Sequence, residues 1–456
     1  MRLLVWRRAP HARREQPLSR GPESAALGAR PPAAAAASRF PHAILVMATL
    51  ALAPRAATAQ AIAIVGGKVH PVSGPVIENG TVVIDNGKIA AVGPASVPLP
   101  VGATVIDAKG KWVTPGLVNA LTALGLNEID QVSPANDQSA QGESGIAAAL
   151  RVWDGLNPVS PMWGAARNEG ITTVVGVPSG GLVSGQAAVY DTAGDTRAAL
   201  IRKAPAAMVA TLANTTAGAT SRGDLLLRLR QLLDDARAYG RNKAAYERAA
   251  TRHFVVSNIQ LEALQPVLAA KVPLMVAVDR AVDIQSVLDL ARDYKLRLIV
   301  QGGAEAWRVA PALAAAKVPV LVSAEDNIPQ SFDTLGARQE NAALLRMANV
   351  PVIVTAGSVV TFNVRDLKQH AGNAVAYGLP WDEALRAVTL APAEAFGVSD
   401  AIGSLAVGKA ANVVVWSGDP FEFTTRVEHV FVRGQETLAP SRQDQLIERY
   451  KHPGGG

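Results

Sequence analysis

Three carboxylates end Val- and Ile-rich runs at positions where they could do chemistry. Asp279 ends the run PLMVAVD (273–279), and Glu325 and Asp326 end VPVLVSAED (318–326). Carboxylate oxygens can bind a hard cation such as Ca²⁺ or Mg²⁺, or act together as a metal-free acid–base pair. The competing interpretations are an ion pair between Asp279 and Arg280, and solvation or helix capping for Glu325 and Asp326.

Neutral polar side chains stand at comparable points of other apolar runs. Asn119 lies within GLVNALTALG, Gln301 within LRLIVQGG, and Ser358 directly after VPVIVTAG. An amide or hydroxyl at the end of a strand can orient a bound molecule by hydrogen bonding. We therefore treat Asn119, Gln301 and Ser358 as candidate substrate-binding residues.

The imidazoles and thiols give no sign of a metal site. There are no cysteines, which excludes thiolate chemistry and Cys-ligated metals. His253 and His370 lie beside or within helical stretches, where a surface or hydrogen-bonding role is expected. The seven histidines are scattered along the chain at His11, His42, His70, His253, His370, His429 and His452.

Apolar runs alternate with Ala- and Leu-rich helical stretches over residues 113–400. The expected strands are 172–178, 187–191, 273–279, 296–303, 318–326 and 350–357, and the expected helices are 222–237, 258–270, 283–294, 306–316, 339–348, 364–378 and 381–396. Continuous Val/Ile runs followed by helices predict buried parallel strands. The repetition predicts an α/β fold, a (β/α)₈ TIM-like barrel, rather than an open doubly wound sheet. The segment 191–255 is ambiguous, so eight strands cannot be counted.

Short β-rich runs broken by turns occupy both flanks of that region. Asn86-Gly87 between two such runs predicts a hairpin, because this dipeptide supplies the positive φ of a tight turn. Similar short β-rich runs broken by turns follow Gly403. We expect residues 60–112 and 401–440 to pair into one small β-sandwich, followed by a C-terminal tail over 441–456.

The first 59 residues differ from the rest. They hold nine Arg, no Lys and two Glu, then an apolar stretch from Ala43 to Ala53 and the small-x-small triplet Ala57-Thr58-Ala59. This pattern predicts a secretory leader and hence a periplasmic or secreted protein. The alternatives are a disordered arm and an over-long reading frame whose true start lies near residue 38.

The leader accounts for the basic character of the chain. The whole sequence is +6, but beyond residue 59 there are 35 basic and 36 acidic residues. Nucleic-acid binding is therefore not indicated. No apolar run beyond the leader reaches the about 20 residues that a membrane span requires, so none is expected there.

Several motifs resemble those of the amidohydrolase superfamily, of the imidazolonepropionase and dihydroorotase kind. PGLVNALTALG (115–125) is similar to that family's PGLIDAHTHLG segment, and EALRAVTLAPAEAFGV (383–398) and GSLAVGKAANVVVWSGDP (403–420) resemble two further signatures. The resemblance covers nearly the whole chain beyond the leader. It implies a barrel whose mouth holds Zn²⁺ or another divalent metal for hydrolysis of C–N bonds.

The resemblance also implies that the metal-binding histidines are missing. Leu121 and Ala123 occupy the two histidine positions of barrel strand one, and Ala277 occupies that of strand five. On strand six the position falls on Gln301 or Gly302. On strand eight, Ser358 or Val359 replaces the usual Asp, so no cofactor is expected.

Three functions remain open. The first is an active hydrolase of amides, peptides or cyclic imides, which the resemblance alone supports. The second is a non-catalytic member that binds a ligand, forms a homo-oligomer, or pairs with an active paralogue, and the loss of the ligand set favours it. The third is a metal-free or carboxylate-ligated hydrolase that uses Asp279, Glu325 or Asp326. Substrate and oligomeric state are not indicated.

Overall fold

The computed structural model describes residues 60–212, 221–325, 329–357 and 361–451. The predicted leader, 1–59, therefore lies outside the described residues. Within the described ranges the strands are β1 Ile62–Val69, β2 Ile77–Asp85, β3 Lys88–Pro94, β4 Thr104–Asp107, β5 Trp112–Pro115, β6 Leu117–Thr122, β7 Ile171–Gly176, β8 Val183–Asp191, β9 Ile201–Thr211, β10 Leu274–Val278, β11 Leu298–Gly302, β12 Val320–Ser323, β13 Val352–Thr355, β14 Val413–Trp416, β15 Val427–Val432 and β16 Gln435–Glu436.

Helices cover the barrel and follow the last strand. In the described residues they are α1 Met162–Asn168, α2 Arg197–Leu200, α3 Arg222–Arg241, α4 Lys243–Glu247, α5 Asn258–Ala263, α6 Gln265–Leu268, α7 Ala281–Tyr294, α8 Ala310–Ala315, α9 Asn341–Met347, α10 Leu367–Ala376, α11 Trp381–Ala387, α12 Leu390–Ala395 and α13 Arg442–Lys451. None of these described helices combines the length and the apolar character needed to cross a bilayer.

Strands from both chain ends form one sheet, as the sequence predicts. Its order is β16-β15-β14-β5-β1-β2-β3, with β4 also paired to β1. The predicted hairpin joins β2 to β3, where Asp85 pairs with Lys88 and both Asn86 and Gly87 have positive φ, 47° and 77°. β14 pairs with β5, which attaches the C-terminal strands to the N-terminal ones.

The eight strands β6 to β13 follow one another in a single sheet, and the TIM-like barrel is confirmed. The strand order is β13-β12-β11-β10-β9-β8-β7-β6, and β13 packs beside β6. Within the ambiguous segment 191–255, the structure shows one further barrel strand, β9, Ile201–Thr211. Its sequence IRKAPAAMVAT is not Val/Ile-rich, so only its pairing with β8 and β10 identifies it.

One strand departs from the predicted parallel arrangement. β8 runs antiparallel to both β7 and β9, whereas the remaining pairs of the barrel sheet are parallel. Only residues 177–182 separate β7 from β8. A parallel connection needs a crossover of at least about ten residues. The expectation of a parallel strand at 187–191 is therefore wrong in direction.

Several predicted helices are divided. The expected helix 258–270 is split into α5 and α6 at Leu264, two residues before Pro266, whose ring cannot continue a helix interior. The expected helix 381–396 is split into α11 and α12 at Val388 and Thr389.

A buried ion cluster connects the barrel to the sandwich. The Asp191 carboxylate at the end of β8 accepts hydrogen bonds from Arg202, at 2.9 Å from Nε and 2.7 Å from Nη2. Arg433, in the β15–β16 turn, brings Nε to 3.5 Å from the same carboxylate. Asp191 is 2% exposed, so this charge depends on its two arginines for compensation.

Candidate functional site at the barrel mouth

Residue alternation along the barrel strands defines which side chains face the interior. Met275, Ile299, Leu321 and Ile353 belong to one inner apolar cluster, whereas their sequence neighbours pack outward against the helices. Side chains two positions further on share that inner face. The mouth-facing layer thus contains Thr211, Ala277, Gln301, Ser323 and Thr355, at the ends of β9 to β13.

Barrel strand one enters the mouth through a β-bulge. Asn119 pairs with Val174 and Thr122 with Gly176, so three steps along β6 match two along β7. Such a bulge changes which side chains face inward, and Leu121 joins Ala120 in the inner apolar cluster. Ala123, two residues later, is also buried. Both positions that the resemblance assigns to histidines are therefore occupied by buried alkyl side chains.

The described positions do not fit a divalent metal. Leu121, Ala123 and Ala277 carry no donor atom, and Gln301, the register partner of Ala277 on β11, offers only a neutral amide. Zinc sites in proteins are built from imidazole, thiolate and carboxylate ligands. Across the described ranges, no group of three or more His, Cys, Asp or Glu side chains could share a metal ion. Ser358 and Val359, the strand-eight candidates, lie outside the described residues.

The two amide candidates have different surroundings. Asn119 is fully buried inside β6, where its Oδ1 accepts the backbone N–H of Leu121 at 3.2 Å. Its amide thus supports the bulge. Gln301 has a buried Oε1 for which no hydrogen-bond donor is found in the described part of the chain. A buried unpartnered acceptor costs about 1–3 kcal/mol, which makes Gln301 the stronger candidate for contact with a bound molecule.

Asp279 connects two neighbouring barrel loops. Its Oδ1 accepts the backbone N–H of Ala304 at 3.2 Å, and in return Glu305 Oε2 accepts that of Ala281 at 3.0 Å. Arg280 pairs with another acid than Asp279, since its Nε lies 3.7 Å from Oδ2 of Asp283. These reciprocal contacts give Asp279 a role in positioning the β10 and β11 loops.

Glu325 meets His370, for which the sequence predicts a surface or hydrogen-bonding role. His370 on α10 is only 2% exposed, and its Nε2 lies 3.3 Å from Oε1 of Glu325. A Cβ built on Gly357 would lie 3.0 Å from His370 Cε1 and 3.4 Å from Ser323 Oγ. A carboxylate, an imidazole and a hydroxyl thus gather beside the ends of β12 and β13. Asp326 lies outside the described residues.

Two cavities lie near this mouth. A cavity of about 60 Å³ is lined in part by Thr211, Ala277 and Asp279, which is room for little more than water. A second, of about 330 Å³, lies between Glu128–Gln131, Met162 and Phe362. The second reaches the lower end of the range of typical ligand pockets, about 300–1,000 Å³.

Comparisons with known proteins agree with this architecture. Residues 256–437 match the model of the Amidohydrolase family. The solved structure of an amidohydrolase from Thermotoga maritima MSB8 superposes with a TM-score of 0.74 at 25% identity, covering 82% of this chain and 99% of that one. Residues 256–437 therefore carry the Amidohydrolase family match, and the comparisons support an assignment to the amidohydrolase superfamily.

Two more distant similar proteins extend the comparison. The curated amidohydrolase tasK of Hapsidospora irregularis is 22% identical over 392 residues, which are 78% of this chain but only 39% of that protein. The structure of molinate hydrolase, with a TM-score of 0.52 and 19% identity, covers 83% of this chain and 95% of its own and shares the fold. The predicted fold is confirmed and the predicted superfamily is supported, whereas activity is a separate question, since one fold hosts many chemistries.

Proposed function

We propose that this amidohydrolase-superfamily chain is a non-hydrolytic member, which binds a small molecule or an active paralogue instead of cleaving C–N bonds at a metal centre. The observation that carries the proposal is the aliphatic character of three mouth positions, Leu121 and Ala123, which are buried, and Ala277, which is half-buried. Metal-assisted hydrolysis requires ligands that hold the ion and lower the pKa of its water. Alkyl side chains at these positions provide no ligand atoms for such an ion.

The intact scaffold supports a binding role. The barrel, the sandwich and the buried ion cluster around Asp191 are all present, so the chain can still present loops at the mouth. Gln301 is half-buried at the end of β11, so part of its side chain remains accessible to a neutral ligand. An active paralogue would be met in the periplasmic or secreted compartment that the N-terminal sequence predicts.

Metal analysis of the purified full chain tests this proposal. We expect substoichiometric Zn, Fe and Mn by mass spectrometry after incubation with each ion, and no turnover in a screen of amides, dipeptides and cyclic imides. The triple variant Leu121→His/Ala123→His/Ala277→His is the matched control, because it restores imidazole donors and should raise zinc retention. Stoichiometric metal with turnover in the unmodified chain would overturn the proposal.

A second candidate function is a metal-free hydrolase, and the contact between Glu325 and His370 favours it. A carboxylate that accepts a hydrogen bond from an imidazole can orient it and stabilise its protonated form, as in general acid–base catalysis. The nearby hydroxyl of Ser323 accepts the backbone N–H of Glu325 at 3.4 Å. This group lies beside the mouth without needing any metal.

Chelator-resistant turnover distinguishes the two functions. If the second holds, hydrolysis persists in excess chelator, and both Glu325→Gln and His370→Gln lower kcat by about 10²-fold or more. The control Glu340→Gln, on an exposed acid beyond the mouth, should leave kcat unchanged. Absence of any chelator-resistant turnover would rule the second function out and leave the first.

A further inference from the structure

The largest cavity among those described lies at the opposite end of the barrel from the mouth. It has a volume of about 590 Å³ and is bordered by the segments that lead into β10, β11, β12 and β13. Helix α12 and the C-terminal ends of α7 and α8 complete its walls. We call it the basal groove. Its volume is within the range of about 300–1,000 Å³ that is typical of ligand pockets.

The floor of the basal groove is apolar. Pro273, Leu298, Val318 and Ala391 line it and are buried from solvent. Leu296, half-buried, adds to one wall. A hydrocarbon or aromatic body placed on this floor would be removed from water, which is favourable by about 25 cal/mol per Å² of apolar surface.

Four cations surround this floor. Lys295 and Lys317 follow α7 and α8 with positive φ, 57° and 53°, and a cation at a helix C-terminus is commonly explained by the helix dipole. Arg297 has no such explanation, because it lies in the extended segment just before β11. The fourth, Arg292, is paired with Asp289 and Asp293.

The charge around the groove is poorly compensated. Within the described ranges no carboxylate lies within ion-pair distance of Lys295, Arg297 or Lys317. The acid that lines the groove, Glu394, is bound to Arg386 at 2.5 Å. Burial, followed by repulsion from Arg297, lowers the pKa of the neighbouring Lys203. The local potential is therefore positive.

We propose that the basal groove binds an amphipathic organic anion, a small molecule with a carboxylate or phosphate head and an apolar body. The head lies against Lys295, Arg297 and Lys317, and the body lies on the floor formed by Leu298, Val318 and neighbouring residues. Charge-assisted hydrogen bonds to the guanidinium of Arg297 can be bidentate. This site is independent of the mouth and of any hydrolytic activity.

Calorimetric titration of the full chain tests the proposal with defined probes. Octyl phosphate and octanoate, below their critical micelle concentrations, should bind at about one per chain, whereas octanol and inorganic phosphate should each bind at least tenfold more weakly. Octyl phosphate should also slow hydrogen exchange in residues 291–299 and 316–320. Octanol binding as tightly as octyl phosphate would overturn the charge-recognition argument.

Variants assign the binding to the groove. The double variant Arg297→Gln/Lys317→Gln should weaken octyl phosphate binding at least tenfold while its circular dichroism and Tm stay near those of the unmodified chain. Lys109→Gln, an exposed cation on the sandwich, is the matched control and should bind normally. Unchanged affinity of the double variant, or no binding of either anion at millimolar concentration, would reject the proposal. Binding to anionic lipid vesicles without binding to monomeric octyl phosphate would reject it in favour of a membrane surface.

Discussion

Oε1 of Glu325 lies 3.3 Å from Nε2 of His370, a contact that joins the end of β12 to helix α10 at the barrel mouth. The imidazole is buried, whereas the Glu325 side chain is 57% exposed. His370 is thus presented to the mouth through a carboxylate that solvent and ligands can reach. The backbone of Gly357 packs against the His370 ring of this pair.

Gly357 is expected to be intolerant of a side chain. Its φ is +80°, and an added Cβ would press on the His370 ring at 3.0 Å. We expect Gly357→Ala to lower the free energy of unfolding by about 2–4 kcal/mol, since left-handed backbone strain and overpacking add. Gly408→Ala, with φ +89° and no atom within 4 Å, should cost only about 1–2 kcal/mol. If urea denaturation gives the same loss of unfolding free energy for both variants, the predicted contact between an added Cβ and the His370 ring is wrong.

Asp191 is expected to be among the side chains on which stability depends most. Its removal leaves Arg202, which is 13% exposed, without its bidentate partner. Breaking such a buried pair costs about 3–5 kcal/mol, so Asp191→Ala should unfold at much lower denaturant. Asp154→Ala breaks the exposed pair with Arg151 and should cost less than about 1 kcal/mol. A similar, small loss in both variants would show that Asp191 does not connect barrel and sandwich.

His70 is expected to make stability depend on pH. It stacks on Trp112 with ring centroids 4.6 Å apart, and burial, assisted by repulsion from Lys68, lowers the pKa of His70 to about 4. Since the unfolded chain has a histidine pKa near about 6.5, the unfolded state binds the extra proton first. The contribution of neutral His70 to the free energy of unfolding is complete above about pH 6.5 and is lost as pH falls toward 4.

The size of this effect is measurable by denaturation across pH. We expect about 1–2 kcal/mol to be lost between pH 6.5 and 4, after allowance for solvent screening. His70→Phe keeps an aromatic ring against Trp112 and should remove this part of the pH dependence. His253→Gln, at an exposed position, is the control and should leave the profile unchanged. An identical profile for the His70 variant would refute the assignment.

Gln301 is expected to carry a stability cost that binding relieves. Its Oε1 is buried without a donor in the described part of the chain. Gln301→Leu removes that acceptor at similar volume and should raise the free energy of unfolding by about 0.5–1 kcal/mol in the ligand-free protein. Thermal unfolding measures this directly. A clear loss of stability would indicate that ordered water already satisfies the amide.

The sequence alone was sufficient for features with a local physical cause. Val/Ile runs predicted β10 to β13, because a buried parallel strand needs apolar residues on both faces. Asn86-Gly87 predicted its hairpin, because positive φ is a property of those two residues. The role that the motif at 115–125 assigns to Leu121 and Ala123 stays a prediction, and the β-bulge in β6 explains how Leu121 comes to face inward.

Only the tertiary structure decided which distant residues meet. The pairing of Glu325 with His370 and the assignment of β9 to the barrel depend on closure of the sheet, which the spacing of residues along the chain does not reveal. The same holds for the basal groove, whose cations Arg297 and Lys317 come from separate loops. Side-chain direction repeats with a short period along the chain, whereas contact between loops requires the whole barrel to be formed.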